Sequence, residues 1–226
     1  MLLLLVHDGH ASSRRFFTPA NAESYDSVAR YATFGQDLRW KRHIIEALGN
    51  HDPVLELACG TGVLSSMLAS SSRNVVGLDF IFEYLRESMH RLEIPLAQGT
   101  AEILPYRDGC FGAVVSSYLT KYVEIDRLAE ECWRVIRPGG TAVFHDFVYP
   151  SSPAMQRLWA AYFSILRLCG TFIPSWRIVF QQLDRVIKES RWETHLQSAL
   201  LNKGFRGISC KYYALGTSAI VSADKP

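Results

Sequence analysis

Between residues 37 and 147, short runs of apolar and β-branched residues alternate with amphipathic stretches of helical period, and this alternation limits the architectures open to the chain. Residues 37–48 put Leu38, Ile44, Ile45 and Leu48 on one face and Arg39, Lys41, Arg42 and Glu46 elsewhere, which predicts a helix. Strand-like runs follow at 54–58, 75–79, 95–98, 113–117 and 141–147, the last after a Pro138-Gly139-Gly140 turn, with helical patterns at 63–69, 82–92 and 125–136. Strands linked through helices need right-handed crossovers, and these build a parallel sheet covered on both faces. A helix at 193–202 then precedes two strand-like runs, 207–214 and 218–223, whose short link requires an antiparallel hairpin. The expected fold is α/β: a doubly wound, mostly parallel seven-stranded sheet with a C-terminal antiparallel hairpin and a helical insertion at 152–190.

With 226 residues, 48% of them hydrophobic, the chain can bury one sizeable core. The expectation is a single domain over 1–226, with 1–24 as an N-terminal extension and 152–190 as a lid. The insertion holds Trp159, Tyr162, Phe163, Phe172, Trp176 and Phe180, while Arg157, Arg167 and Arg177 argue against a membrane span. It reads either as an ordinary packed helix pair or as an apolar cover over a substrate. Lys plus Arg (24) nearly cancel Asp plus Glu (22), so bulk charge gives no reason to expect nucleic acid, and a small molecule is the default partner. The five cysteines are scattered without a C-x-x-C pair, which predicts neither a disulfide framework nor zinc and fits a reducing cytoplasm. Residues 1–6 are apolar but too few to span a bilayer, and they lack the flanks of a signal peptide, so they read as a frayed or docked terminus. His7, Asp8 and His10 lack further ligands at suitable spacing, and no metal is expected.

The chemistry is expected at Glu56-Leu57-Ala58-Cys59-Gly60-Thr61-Gly62, where a strand runs into a turn whose glycines permit positive φ and close approach to a ligand. Asp79 closes the next strand nineteen residues after Gly60, where a carboxylate can accept both hydroxyls of a ribose. Glu56 separates this turn from a dinucleotide site. Its carboxylate would repel a pyrophosphate and attract the ammonium end of S-adenosylmethionine. Taken singly, Glu56 reads equally as a structurally paired acid and Asp79 as a helix N-terminal one.

Several stretches resemble a known family: Tyr25-Asp26-Ser27-Val28-Ala29, Gly35-Gln36-Asp37-Leu38-Arg39-Trp40, residues 55–62, Val76-Gly77-Leu78-Asp79-Phe80, Gly99-Thr100-Ala101-Glu102-Ile103-Leu104-Pro105-Tyr106, and Arg134-Val135-Ile136-Arg137-Pro138-Gly139-Gly140. Over roughly residues 25–223 the chain is similar to the ubiquinone and menaquinone biosynthesis C-methyltransferases. The resemblance implies a Rossmann-like class I methyltransferase fold with S-adenosylmethionine as cofactor. It places Tyr31, Glu56, Ala58, Gly60, Thr61, Gly62, Asp79, Phe80, Thr100, Ala101 and Ser117 at the cofactor, with Asp79 on the ribose and Thr100-Ala101 beside the adenine. The family commonly has Asp where Thr100 stands, so the Thr100 hydroxyl or a backbone carbonyl is expected to meet the adenine amino group. Quinone-pathway members usually read Gly-Leu-Arg-Asn where this chain has Tyr118-Leu119-Thr120-Lys121.

The function so implied is C-methylation of a prenylated quinol such as demethylmenaquinol. Methyl transfer from a sulfonium mainly requires alignment, and an aromatic carbon nucleophile needs a neighbouring phenol to lose its proton. His145, at the C-terminal end of the last parallel strand, is the first candidate base, against the alternative of a histidine bonded to Asp146; Lys121, Tyr118 and Tyr149 follow. The rival readings are a methyltransferase for another hydrophobic or phenolic molecule, acting on O or N, and a cofactor-binding module without catalysis. A cytoplasmic protein is expected, with peripheral membrane contact left open and a homodimer as the oligomer if there is one.

Overall fold

The structure, a computed structural model, describes residues 9–71 and 73–226. The apolar run at 1–6 and the candidate ligands His7 and Asp8 lie outside the described residues.

Seven strands form one sheet in the order β3-β2-β1-β4-β5-β7-β6. The strands β1 (Val54–Leu57), β2 (Val75–Asp79), β3 (Leu96–Gln98), β4 (Phe111–Ser117) and β5 (Ile136–Phe147) run parallel. The last two, β6 (Arg206–Tyr213) and β7 (Ser218–Asp224), form the antiparallel hairpin, with β7 against β5. Both β1 and β4 are buried along their whole length, as central strands covered on two faces must be.

Alternation along these strands feeds two cores. Leu55, Leu57, Val114 and Phe144 pack with Leu128, Cys132, Leu196 and Leu200 of α7 (Ile125–Val135) and α10 (Trp192–Lys203). On the other face, Val54, Ala113, Val115 and Val143 pack with Ile44, Leu48, Leu64 and Leu68 of α4 (Gln36–Leu48) and α5 (Val63–Ala69). The chain moves outward from β1 to β3 and returns at β4, so the strand order reverses between β1 and β4. In an open α/β sheet the crevice beyond the carboxyl ends at such a point is where ligands bind.

Two differences from the sequence expectation matter. The segment expected to turn at Pro138-Gly139-Gly140 lies within β5, where the Gly139 N–H donates to the Lys225 carbonyl (2.8 Å) and the Lys225 N–H to the Gly140 carbonyl (2.8 Å). Three helices also precede the first strand region unannounced: α1 (Gly9–Phe16), α2 (Pro19–Ala22) and α3 (Tyr25–Ala32). They are tied down by Asn21, which is fully buried. Its amide donates to the carbonyls of Phe16 (2.6 Å) and Ser175 (3.2 Å), and its oxygen accepts from the Tyr84 hydroxyl (2.9 Å) of α6 (Phe82–Arg91). The insertion is a helix pair, α8 (Pro153–Phe172) and α9 (Arg177–Ser190), which closes over the same end of the sheet as α1 and α3.

Candidate active site

The turn after β1 combines three left-handed residues, Ala58 (φ 53°), Gly60 (φ 55°) and Gly62 (φ 82°), the last opening α5. A Cβ on Gly62 would lie 2.5 Å from the Ser88 hydroxyl oxygen, so only glycine lets the turn sit this close to α6. Asp79 holds the turn from the tip of β2: the Gly60 N–H donates to its Oδ2 (2.8 Å) and the Ile81 N–H to its Oδ1 (2.8 Å). Each carboxylate oxygen keeps accepting capacity beyond these bonds. Burial pushes the Asp79 carboxyl up to about 6, with the backbone amides pulling the other way. Glu56, 2% exposed, accepts a hydrogen bond from the Ser65 hydroxyl. Burial pushes it up to about 8, against the pull of Ser65 and of the Lys41 charge.

These two acids flank one crevice from opposite sides of the turn. Asp79 lines the part bounded by Phe80, Ile81, Thr100, Ala101 and Glu102; Glu56 lines the part bounded by Asp26, Arg30, Asp37, Lys41 and Thr61. Ala58, Gly60, Ser117, Tyr118 and Tyr25 border both. The structure thus gathers Glu56, Ala58, Gly60, Thr61, Asp79, Phe80, Thr100, Ala101 and Ser117 around one space, with Gly62 shaping the turn from below. Tyr31 is not among them. It is 78% exposed, because Val28, Ala29 and Ala32, not Tyr31, form the inward face of α3.

A second, apolar cavity lies under the helix pair, lined by Tyr162, Phe163, Leu166, Val179, Phe180 and Leu183, and it meets the crevice at Phe17, Tyr25, Tyr118 and Tyr122. Lys121 reaches this cavity as half of a buried ion pair: its Nζ donates to Asp146 Oδ1 (2.5 Å) and to the Tyr118 carbonyl (3.0 Å), and the Thr120 hydroxyl donates to Asp146 Oδ2 (3.0 Å). Burial lowers the Lys121 pKa, with the Asp146 charge opposing.

Of the three other candidates for catalysis, Tyr149 packs edge-on against Trp159 and borders neither the crevice nor the apolar cavity, and Tyr118 and His145 fare differently. Tyr118, held at φ 71°, donates its hydroxyl to Asp37 Oδ1 (2.8 Å), and burial pushes its phenol well above the ordinary value, so it stays protonated. His145 corrects the sequence expectation of a base. It is 1% exposed, with Nδ1 on the Ser117 hydroxyl (2.9 Å) and Nε2 on the Ser218 hydroxyl (2.8 Å), and borders neither the crevice nor the apolar cavity. Burial, helped by the charges of Lys41 and Lys121, drives its pKa well below the ordinary value. The ring stays neutral and links β5 to β4 and β7 through hydroxyls, rather than to Asp146.

Sequence reasoning attached no role to Tyr25, Asp26, Asp37 or Lys41, although the family-like stretches 25–29 and 35–40 contain the first three. The Thr61 hydroxyl donates to Asp26 Oδ1 (2.6 Å), and Lys41 pairs with Asp37 (2.5 Å). Among the described residues there is no His, Cys, Asp or Glu cluster that could hold a metal.

The family described as a methyltransferase domain matches residues 55–144, from β1 into β5. The chain is 31% identical over 210 residues to a demethylmenaquinone methyltransferase of Paenarthrobacter aurescens, spanning 91% of this chain and 83% of that one. It is 28% identical over 216 residues to a demethylmenaquinone methyltransferase of Thermus thermophilus, spanning 91% and 98%. Among solved structures, a Thermotoga maritima SAM-dependent methyltransferase described as a possible histamine N-methyltransferase superposes with a TM-score of 0.68 at 13% identity, covering 95% of this chain and 100% of that one. The Haemonchus contortus phosphoethanolamine N-methyltransferase 2, in complex with S-adenosyl-L-methionine, gives 0.67 at 12% identity, covering 98% and 60%. At such identities the solved structures establish the shared fold alone. The crevice itself suits S-adenosylmethionine, because a glycine cradle lies between two buried acids, and Glu56 beside it favours a cation over a diphosphate.

Proposed function

Because the chain belongs to the S-adenosylmethionine-dependent methyltransferases, in the family of the demethylmenaquinone methyltransferases, we propose that it C-methylates a prenylated quinol of the demethylmenaquinol kind. The observation that carries this substrate is the apolar cavity beneath α8 and α9, which meets the glycine-turn crevice at Tyr25 and Tyr118. A flat aromatic ring at that junction would stack on tyrosine faces, and a prenyl tail would replace water along Leu166, Val179 and Leu183.

The cofactor, when bound, supplies an electrophilic methyl group on a positively charged sulfur. The chain's residues do the rest. Asp79 would accept the ribose hydroxyls, Glu56 would face the ammonium end, and Thr100, Ala101, Phe80 and Ser117 would bound the nucleoside side. Lys121, an ammonium in its pair with Asp146, would lie beside the quinol hydroxyl and stabilise the phenolate left when that hydroxyl gives its proton to water. Burial lowers its pKa from the ordinary lysine value, and the Asp146 charge opposes that shift and holds the ammonium in the pair. Tyr118 keeps its own proton on Asp37 and serves as a wall.

The test is methyl transfer from labelled cofactor to demethylmenaquinol in detergent, run beside soluble naphthols and catechols. The expected result is a quinol product heavier by one methyl on carbon, formed in clear preference to the soluble phenols. Exclusive transfer to a soluble phenol would move the function to the second reading, which the Tyr118-Leu119-Thr120-Lys121 segment favours by departing from the family's usual residues.

Among the described residues no helix is long and apolar enough to cross a membrane. We infer instead that the outer face of α8 rests on an anionic bilayer surface. Leu158, Ile165, Leu168 and Phe172 are exposed along it, Phe172 by 80%, and α8 carries no acid; Arg157 is exposed, while Arg167 pairs with Asp184 (2.9 Å). Cosedimentation with phosphatidylglycerol vesicles should fall about tenfold in Leu168→Glu/Phe172→Glu, since two apolar side chains are withdrawn and two like charges added. Equal binding would reject the surface, as would a dimer that buries the stripe in solution.

A further inference from the structure

The corner between α3 and α4 is built against the preferences of its own residues. Phe34 takes φ 51° and Gly35 φ 74°, and a bulky side chain in the left-handed region is an outlier that the surrounding structure has to hold in place. The ring so held points away from every core: Phe34 is 81% exposed, and Tyr31, three residues earlier, is 78% exposed. The flanks of this aromatic pair are cationic. Between residues 27 and 45 the exposed charges are Arg30, Arg39 and Arg42, while the one acid, Asp37, is buried against Lys41. Aromatic rings with arginines beside them suit the headgroup boundary of an anionic bilayer, where the ring meets acyl chains and the charge meets phosphate.

The same corner borders the apolar cavity. Ala29, Ala32 and Thr33 line that cavity from α3 and its end, and Tyr162 lines it from α8. Tyr162 joins the two helices: its hydroxyl donates to the Ala32 carbonyl (2.6 Å), and its ring centre lies 6.0 Å from that of Phe34. On α8 it stands four residues after Leu158 and three before Ile165, so it marks the edge where the exposed apolar stripe turns into the cavity wall. Stripe, corner and cavity thus meet at one side chain. A long apolar tail that reached the cavity through water would expose its whole length on the way, whereas a tail passing at this edge leaves one apolar phase directly for another.

We propose that the prenyl tail of the acceptor enters from the bilayer between α3 and α8 at this corner, with Phe34 seated among the lipid chains and the Tyr162–Ala32 hydrogen bond as the bar across the entrance. The inference rests on the prenylated-quinol reading and adds where that substrate comes in. The tail passes Ala32 and Tyr162, and the ring goes on to Tyr118, where the cavity meets the crevice.

Two acceptors separate tail entry from chemistry: demethylmenaquinol in phosphatidylglycerol vesicles, and the same quinol ring without its prenyl chain in solution. Phe34→Gly is the informative variant, since glycine tolerates the left-handed corner and the fold should lose little stability. Its kcat/KM should fall at least about tenfold on the tailed quinol, the effect of withdrawing one phenylalanine ring from an apolar phase, and stay unchanged on the tailless one. Tyr162→Phe keeps the ring and removes the bar, and should raise kcat/KM on the tailed quinol by about fivefold, the net contribution of a neutral hydrogen bond. Phe34→Trp gives a reading without turnover: phosphatidylglycerol vesicles with brominated acyl chains should quench the emission it adds to that of wild type. A Phe34→Gly enzyme that keeps its full preference for the tail, a Tyr162→Phe enzyme that takes the tail no faster, or a Phe34→Trp protein left unquenched each overturns the entrance and leaves the acceptor as assigned. Wild type that methylates the tailless quinol alone overturns both.

Discussion

Lys121→Met is expected to destabilise the protein by about 3–5 kcal/mol and to slow methyl transfer to a phenolic acceptor by roughly a hundredfold or more. The first effect follows from what the substitution leaves behind. Asp146 is completely buried, and without Lys121 it retains only the Thr120 hydroxyl and the Phe147 N–H (2.8 Å) as donors for a full negative charge. Removing one partner of a buried ion pair costs far more than the pair contributes, because the survivor cannot regain its hydration. Denaturant unfolding checks the stability, and Lys121→Met/Asp146→Leu separates the two roles: with both charges gone, most of the lost stability should return. Methyl transfer should not return with it. Recovery of activity in the double variant would mean that the pair serves folding alone and that the phenolate needs no ammonium beside it.

The sheet was legible in the sequence because its strands are governed by short-range patterns. Val54 to Leu57 and Phe111 to Ser117 are apolar enough to be buried on both faces, and Asp79 ends its strand where the apolar run ends. The N-terminal helices left no such trace. Residues 9–32 are polar on average, and Phe16, Asn21 and Tyr25 acquire their positions from Tyr122, Ser175, Trp176 and Tyr84, all remote in sequence. His145 shows the same limit at the site. Its place at the strand end could be read, but the two hydroxyls that occupy its ring come from positions 28 and 73 residues away. Helix α8 is ambiguous for a different reason. Apolar residues line both its inner and outer faces, so its sequence alone could not distinguish core from cover.

Affinity for S-adenosylmethionine should rise steeply between pH 6 and 8, by up to about tenfold per unit, and Glu56→Gln should flatten the rise. Burial raises Glu56 from the ordinary 4.5 to about 8 and Asp79 from 3.8 to about 6, so in the ligand-free protein Glu56 is largely protonated at neutral pH. For a carboxyl raised on folding, the folded state holds the proton more tightly than the unfolded chain. The ligand-free protein therefore loses stability as pH climbs from about 4 to 8, through Asp79 in the lower part of that window and Glu56 across all of it. A cationic ligand reverses the balance. Its charge offsets the lost hydration of the Glu56 carboxylate, so binding expels the proton, and each unit of pH below 8 adds work to that expulsion. Calorimetry at pH 7 in buffers of different ionisation enthalpy should then register close to one proton released by wild type and much less by Glu56→Gln. A pH-independent affinity in wild type would place the ligand's positive end away from Glu56 and leave that acid with only Ser65 to account for it.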